Sequence, residues 1–370
     1  MTDCSLFPRL AALRAALSDT AADRIGADAV LISQPENRFY LSGFSGSSGW
    51  LLIAGEQAFI ATDFRYYEQV SMECPGFELV KVTTRFADVL PEVIAKAGVR
   101  RLAFEADHAT FADVQDWAKA APEVEWVPIK GVVMKLRSVK DAAEVATMKA
   151  AIALADEALA AGLAHASPGM TELELSWIIE SYMRTHGAQI VAFDLIVACG
   201  PNGARPHARA GDAPLVAGEP IVIDMGARVN GYNSDLTRTV CLGQPNDPDR
   251  FWEVYNTVLR AQVAAEAAIR PGMNGQDVDA VARDLIAEAG YGAYFGHGLG
   301  HGVGLAVHED PRLSRVVPCT LQPGQLVTVE PGIYLPGWGG VRIEDIVLIT
   351  EDGVEVLTRA PKEPIIGQSS

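Results

Sequence analysis

The sequence predicts an α+β protein in which a small N-terminal α/β domain precedes a larger domain built from two similar halves. Three observations support this class. Short apolar runs alternate with helical patterns as far as about residue 130. A Pro-Gly-Met motif occurs at Pro168 and again at Pro271, 103 residues later, and each copy leads to a hairpin pattern with an acid on both strands. We therefore predict domains over residues 1–130 and 131–370, a division that suits a chain of 370 residues.

The N-terminal domain is predicted from periodicity. Leucines at 6, 10, 13 and 17 recur at helical spacing, which predicts an opening amphipathic helix. Strand-like apolar runs follow at 29–32, 50–54, 58–62 and 79–82, with a glycine- and serine-rich turn at 43–49. Alternation of such strands with helices predicts an α/β layer around a mixed sheet.

The second domain begins after a basic stretch with a long alanine-rich helix, predicted from about Ala142 to Ala164 and capped by Asp141 or Ser138. The first acidic hairpin runs over 221–224, turns at Asn230-Gly231 and returns over 234–240. The second runs over 326–330, turns near 337–340 and returns over 341–347. These features predict an internal duplication with a pseudo-twofold axis.

Four acids lie in these hairpins: Asp224, Asp235, Glu330 and Glu344. Asp224 precedes Glu330 by 106 residues and Asp235 precedes Glu344 by 109, offsets that match the duplication. A carboxylate among isoleucines and valines must be paired or ligated, because burying an unpaired charge is costly. The pattern predicts four carboxylates that converge between the two halves.

Histidines accompany the acids. His297, His301 and His308 share one glycine-rich run, and His207 occupies the corresponding stretch of the first half. Carboxylates together with imidazole suit two divalent ions, most readily Mn²⁺, with Co²⁺, Zn²⁺ or Fe²⁺ as alternatives. Two carboxylates can bridge the ions, and a water between them becomes a hydroxide near neutral pH that attacks an amide or ester carbonyl.

Composition limits the partners. The formal net charge of −17 disfavours nucleic acid and anionic membrane surfaces. Five scattered cysteines are not a disulfide framework and favour a reducing cytoplasm, and no uncharged apolar stretch is long enough to span a membrane.

Five short motifs carry a family resemblance: Asp224-Met225-Gly226, Ser234-Asp235-Leu236-Thr237-Arg238, His297-Gly298-Leu299-Gly300-His301, Glu330-Pro331-Gly332 and Arg342-Ile343-Glu344-Asp345. Together they resemble the pita-bread metallopeptidases, and among these the Xaa-Pro peptidases, aminopeptidase P and prolidase. The N-terminal segments at 40–47 and 63–66 and the hinge at 136–141 fit as well, so the resemblance covers nearly the whole chain. It implies a creatinase/prolidase-like N-terminal domain followed by a pita-bread catalytic domain.

The resemblance also implies roles. The metal ligands would be Asp224, Asp235, His301, Glu330 and Glu344, with Asp235 and Glu344 bridging. Glu330 would in addition carry a proton towards the leaving amine.

Other roles follow from the same resemblance. His207 and His308 would contact the substrate carbonyl or its oxyanion, and His297 would line the pocket for the proline ring. Arg342 would orient Glu344, with Tyr334 in support. A homodimer is expected, with the Phe44 loop and residues 65–67 as contacts to the partner's site.

The leading interpretation is an Xaa-Pro aminopeptidase that cleaves before a proline in the second position of a peptide. Prolidase, which cleaves Xaa-Pro dipeptides, stays open, and the glycine- and serine-rich loop at 43–49 favours the aminopeptidase by association alone. A metal-dependent hydrolase or lyase of the same fold is a further alternative. A binding module without catalysis would have lost ligands, and a methionine aminopeptidase would not need the N-terminal domain.

Overall fold

The structure, a computed structural model, describes residues 6–18 and 25–367. It divides into two compact units, Met1–Arg137 and Ser138–Ser370. This division lies beyond the predicted boundary at residue 130 because the intervening helix belongs to the first unit. There, the Arg137 guanidinium donates a hydrogen bond of 2.7 Å to Asn37 Oδ1.

The first unit is a mixed six-stranded sheet flanked by helices. Its helices are α1 (Leu6–Ser18), α2 (Pro35–Ser42), α3 (Tyr67–Glu73), α4 (Phe86–Ala97), α5 (Phe111–Ala120) and α6 (Val132–Ser138). Its strands are β1 (Ala29–Ile32), β2 (Trp50–Ala54), β3 (Gln57–Thr62), β4 (Glu78–Lys81), β5 (Arg101–Glu105) and β6 (Glu125–Ile129), in the order β4-β3-β2-β1-β5-β6. The predicted opening helix, the four predicted strands and the mixed sheet are confirmed.

The loop between α2 and β2 closes over an aromatic side chain. Phe44 is buried beneath Gly46 and Gly49 and packs edge-on against Tyr66, while the expected contact of this loop with a partner subunit stays a prediction. A side chain at Gly46 would overlap the Phe44 ring, so the glycines let this loop close over an aromatic core residue. Arg65 remains exposed.

The second unit contains the predicted duplication. Its helices are α7 (Ala142–His165), α8 (Glu172–Thr185), α9 (Pro248–Ala268) and α10 (Gly275–Glu288). The strands of its first half are β7 (Ile190–Val191), β8 (Ile196–Cys199), β9 (Pro220–Met225), β10 (Ala227–Val229), β11 (Tyr232–Asn233) and β12 (Leu236–Leu242). Those that follow are β13 (Gly300–Gly302), β14 (Glu309–Leu313), β15 (Leu326–Val329), β16 (Gly332–Leu335), β17 (Gly339–Arg342), β18 (Asp345–Ile349), β19 (Val354–Val356) and β20 (Ile365–Ile366).

The two halves repeat one arrangement. A helix pair precedes an antiparallel strand pair, β9 with β12 in the first half and β15 with β18 in the second. Helix α7 matches its predicted span, and the Asp141 side chain caps it by accepting hydrogen bonds from the amides of Ala143 and Glu144. Each half has its own apolar core against its helices.

Three of the four acids lie just outside the strands, which refines the sequence prediction. Asp224 lies within β9, but Glu330 directly follows β15, and Asp235 and Glu344 directly precede β12 and β18. The chain then continues into a second, smaller hairpin in each half, β10–β11 and β16–β17. Because the ladder is interrupted between the two hairpins, the acids converge at the breaks.

Candidate metal centre

The predicted ligands meet in one cavity of about 840 Å³. Asp235, His301 and Glu344 each present a ligand atom, and these three atoms lie within 4.8 Å of one another. Asp224 and Glu330 line the same cavity. All five residues that the sequence predicts as ligands are therefore brought together.

His301 presents Nε2 to the carboxylates. This atom lies 3.2 Å from Glu330 Oε1 and 3.7 Å from Asp235 Oδ2, while Nδ1 lies 3.0 Å from the carbonyl oxygen of Gly302. A hydrogen bond from Nδ1 to that carbonyl fixes the ring and leaves Nε2 free to bind a metal. Gly300 allows this approach, since a Cβ there would overlap the Thr328 carbonyl.

Burial and the neighbouring charges shift the carboxyl pKa values. Burial and the Asp224 charge raise the pKa of Asp235 well above its usual range, and burial and the Asp235 charge do the same to Glu344. Burial also raises the pKa of Asp224, against the lowering effect of Arg342. Burial acts to raise the pKa of Glu330 too, but the hydrogen bond and charge of His301 outweigh it and lower that pKa to about 2.

The donor set fits divalent cations. Asp224 Oδ1 and Glu344 Oε1 are buried and have no hydrogen-bond partner among the described residues, although buried carboxylate oxygens are nearly always satisfied. A cation between these oxygens would give each of them a partner and would offset the repulsion among the carboxylates. An oxygen-rich set with one imidazole is the chemistry expected of manganese and neighbouring divalent ions.

Arg342 directly contacts a predicted ligand other than Glu344. Its Nη2 donates to Asp224 Oδ2 at 2.6 Å, and it reaches Glu344, which it was expected to orient, through one intervening hydroxyl. Its Nη1 donates to Tyr334 Oη at 2.8 Å, and that hydroxyl lies 2.9 Å from His297 Nε2. Arg342 thus links the predicted ligand Asp224 to the cavity-lining His297.

Thr237 belongs to the site although no role was predicted for it. Its hydroxyl donates to Glu344 Oε2 at 2.7 Å and accepts from Arg342 Nε at 3.1 Å. It is completely buried. The sequence contains a sign that Thr237 lies at the site. Side chains two residues apart in a strand share a face, so Thr237 faces the same way as Asp235.

Arg238 lies on the opposite face and supports the strand break. Its buried guanidinium donates to the carbonyls of Thr237, Glu344, Ala360 and Pro361 and to Asp345 Oδ1. All five N–H groups are satisfied. These contacts hold the segment around Ala360 behind the predicted ligand Glu344.

The remaining predicted histidines line the cavity. His207 and His308 are exposed at its wall, and the His308 ring stands edge-on to His301 with 4.4 Å between ring centroids. Burial and the charges of His301 and Arg312 lower the pKa of His308 to about 4. His297 is partly buried beside Phe295 and Tyr334.

Arg312 is a second residue that the sequence left without a role. It lies on β14 directly opposite His301 in the antiparallel ladder and lines the cavity, half-buried. Within residues 6–18 and 25–367 no carboxylate forms an ion pair with it. Its place at the site follows from its pairing with His301 across two strands. The sequence does not show which residues of two strands pair.

Comparison with known proteins identifies the family. Residues 146–351 match metallopeptidase family M24, and residues 9–139 match the creatinase/prolidase N-terminal domain. The chain belongs to metallopeptidase family M24. The resemblance to the pita-bread Xaa-Pro peptidases is confirmed, and the M24 chain is a metal-dependent exopeptidase, so its carboxylate centre is a divalent-metal site.

Proteins similar to this M24 chain include both Xaa-Pro dipeptidases and an X-Pro aminopeptidase. An Xaa-Pro dipeptidase of Pyrococcus furiosus is 38% identical over 92% of this chain and 96% of its own. The structure of an Xaa-Pro dipeptidase from Bacillus anthracis is 40% identical, with a TM-score of 0.93 over 98% of this chain and 99% of that chain. The structure of an X-Pro aminopeptidase from Thermotoga maritima is 39% identical, with a TM-score of 0.85 over 92% and 97%.

In the described part of the chain, no helix is long and apolar enough to cross a membrane.

Proposed function

We propose that this protein is an Xaa-Pro dipeptidase, the alternative that the sequence left open beside the aminopeptidase. The observation that carries the proposal is Arg312. Its guanidinium faces the metal cavity from a position opposite His301 and has no carboxylate partner among the described residues. A dipeptide places its free C-terminal carboxylate next to the scissile bond, whereas a longer peptide has a neutral amide there.

Charge pairing supports this assignment. Arginine binds a carboxylate through two parallel N–H donors, and a half-buried site strengthens such a pair. Three other arginines line the cavity, but Arg184 is already paired with Glu180 at 2.7 Å, Arg342 is paired with Asp224 at 2.6 Å, and Arg209 is exposed. Arg312 is therefore the cation best placed to recognise the end of a dipeptide.

The proposed ligands are Asp224, Asp235, His301, Glu330 and Glu344, holding two divalent ions, most readily Mn²⁺. Asp235 and Glu344 would each help to hold both ions in this assignment. When bound, such ions supply an acidified water and a Lewis acid for the substrate carbonyl.

Side chains of the protein are assigned the proton transfer, the contacts to the substrate and the positioning of a ligand. Glu330 accepts a proton from the attacking water and passes it to the proline nitrogen as the bond breaks, and His207 and His308 donate hydrogen bonds to the carbonyl oxygen as it gains charge. His297, held by Tyr334, lines the space for the proline ring. Arg342 keeps the Asp224 carboxylate in position through its 2.6 Å contact.

The aminopeptidase remains the second candidate because one of the similar structures bears that name. A cavity of 840 Å³ also falls within the range of sites that hold ligands larger than a dipeptide. A homodimer and a cytoplasmic location stay part of the proposal, the latter supported by four described cysteines that form no disulfide.

Substrate length tests the proposal. With manganese-loaded enzyme we expect kcat/KM for Ala-Pro to exceed that for Ala-Pro-Ala and for the amide Ala-Pro-NH₂ by at least about tenfold, the effect of one charged hydrogen bond. Ala-Ala tests the proline requirement, because its amide hydrogen would be buried without an acceptor. Equal rates on Ala-Pro and Ala-Pro-Ala would favour the aminopeptidase, and equal rates on Ala-Pro and Ala-Ala would refute proline specificity.

A further inference from the structure

Two charged residues on helix α10 bind the backbone of residues 295–299, called the histidine segment because it contains His297. Arg283 and Asp279 form a two-bond ion pair, with Nε 2.7 Å from Oδ2 and Nη2 2.8 Å from Oδ1. Asp279 is fully buried and the Arg283 side chain is only 13% exposed. A buried pair of this kind is weak evidence for stability alone, since its desolvation offsets its attraction.

Both members of this ion pair also form hydrogen bonds with backbone groups. Arg283 Nη1 donates to the carbonyl of Phe295 at 2.9 Å, and Nη2 donates to the carbonyl of His297 at 2.7 Å. Asp279 Oδ1 accepts from the amide of Leu299 at 3.0 Å. Three backbone groups within five residues are thus fixed by one helical turn.

These contacts continue to the proposed ligands. The Leu299 carbonyl accepts a hydrogen bond of 2.8 Å from the amide of Glu330, and His301 follows two residues after Leu299. The Arg283 guanidinium also lies 4.2 Å from the centre of the Phe295 ring, which stands edge-on to His297. One arginine therefore contacts both the backbone and the neighbour of His297.

The segment needs external support. Residues 295–299 belong to neither a helix nor a strand, and glycines at 296 and 298 flank His297. Glycine loses more conformational freedom on ordering than any other residue. Without tethers, the positions of His297 and His301 would be poorly defined, and catalytic groups tolerate little displacement.

The first half has a counterpart. Glu172 on α8 is buried and accepts hydrogen bonds from the amides of Cys199 and Gly211, which bracket the segment that contains His207. Helices α8 and α10 begin 103 residues apart, so Glu172 is not at the position equivalent to Asp279, but it makes comparable contacts from the first turn of its helix. Both halves thus use a buried acid on the helix behind the site to hold the backbone of a histidine segment.

We propose that Asp279 and Arg283 are positioning residues that hold the Phe295–Leu299 backbone, and thereby set the places of His297, His301 and Glu330. The inference about catalysis depends on the proposed peptidase function, but the inference about backbone order does not. The two parts are therefore tested by separate measurements.

The test variant is Arg283→Lys. Lysine keeps a positive charge beside Asp279, but one ammonium group cannot reproduce the forked contacts to the carboxylate and both carbonyls. Arg250→Lys is the matched control, because Arg250 lies on α9 in an exposed ion pair with Asp247. Asp279→Asn, which retains an acceptor for the Leu299 amide, is the second variant should Arg283→Lys fail to fold.

Hydrogen exchange followed by mass spectrometry gives the first readout. We expect amides in peptides covering 295–301 to exchange at least about tenfold faster in Arg283→Lys, with the rest of the domain and the bound manganese unchanged. Unchanged exchange in this segment, or faster exchange throughout the domain, would overturn the proposal.

Kinetics give the second readout. We expect kcat/KM for Ala-Pro to fall at least about tenfold in Arg283→Lys and to stay within twofold in Arg250→Lys. A wild-type value in Arg283→Lys would overturn the positioning role. If the wild-type protein does not cleave Ala-Pro, the dipeptidase proposal fails, and the exchange result alone decides the inference about order.

Discussion

Replacing Arg312 with methionine should convert the enzyme from one that recognises a terminal carboxylate into one that ignores it. Methionine keeps much of the side-chain length but removes the guanidinium. Arg312 has no carboxylate partner among the described residues, so the variant leaves no acidic group stranded. The expected loss is therefore confined to substrate binding.

The magnitude follows from the contact that is removed. A hydrogen bond to a charged group contributes about 1.5–3 kcal/mol, which is roughly a 10- to 150-fold change. We expect kcat/KM for Ala-Pro to fall by that factor in Arg312→Met. The value for Ala-Pro-NH₂ should hardly change, because its terminus carries no charge.

The assay is alanine release from both substrates by wild type, Arg312→Met and the control Arg209→Met, which removes the exposed arginine of the same cavity. Manganese content is measured in each. An equal loss on both substrates would refute the argument, because it would mean that Arg312 supports the site instead of reading the carboxylate. If only Arg209→Met loses the preference for Ala-Pro over Ala-Pro-NH₂, Arg209 is the residue that recognises the carboxylate.

Three further predictions concern the metal centre. Asp235→Ala or Glu344→Ala should abolish both activity and tight metal binding, since each is proposed to bridge two ions; a variant that retains two metals per chain and normal turnover would contradict this assignment. His308→Ala should keep its metal and lose about 2.7–4 kcal/mol of transition-state stabilisation, the effect of one oxyanion donor, and depleted metal by elemental analysis would instead make His308 a ligand. Thr237→Val should weaken metal affinity about 10- to 100-fold by removing the hydroxyl between Arg342 and Glu344, whereas Thr237→Ser should retain it; equal titration curves for the two variants would exclude this role.

The strand pattern and the acids were predictable from sequence for one physical reason. Carboxylates such as Asp224 and Glu330 next to uniformly apolar runs are energetically unfavourable unless something binds them, so their presence marks a site. The break at Glu330 has a sequence signal, since Pro331 and Gly332 follow it and disfavour a continuing strand, whereas no proline or glycine marks the break at Glu344. Hydropathy indicates a strand but not where its ladder is interrupted.

The supporting contacts were beyond sequence reasoning because they join residues distant in the chain. Arg342 was expected beside Glu344, two positions away, but adjacent strands place it on Asp224, 118 residues earlier. Arg312 faces the site through strand register, and Arg283 reaches the histidine segment from a neighbouring helix. Such pairings depend on how elements pack, which composition and periodicity leave undetermined.

The buried guanidinium of Arg238 has a consequence for synthesis of the chain. Every proposed ligand has been translated by residue 344, yet two acceptors of this guanidinium, the carbonyls of Ala360 and Pro361, come later. Strand β20 also pairs with β12 only after residue 365. Because domains fold as units while the chain is made, the nascent protein carries all its ligands before it can hold them rigidly. Metal capture is therefore expected to follow emergence of this last segment from the ribosome.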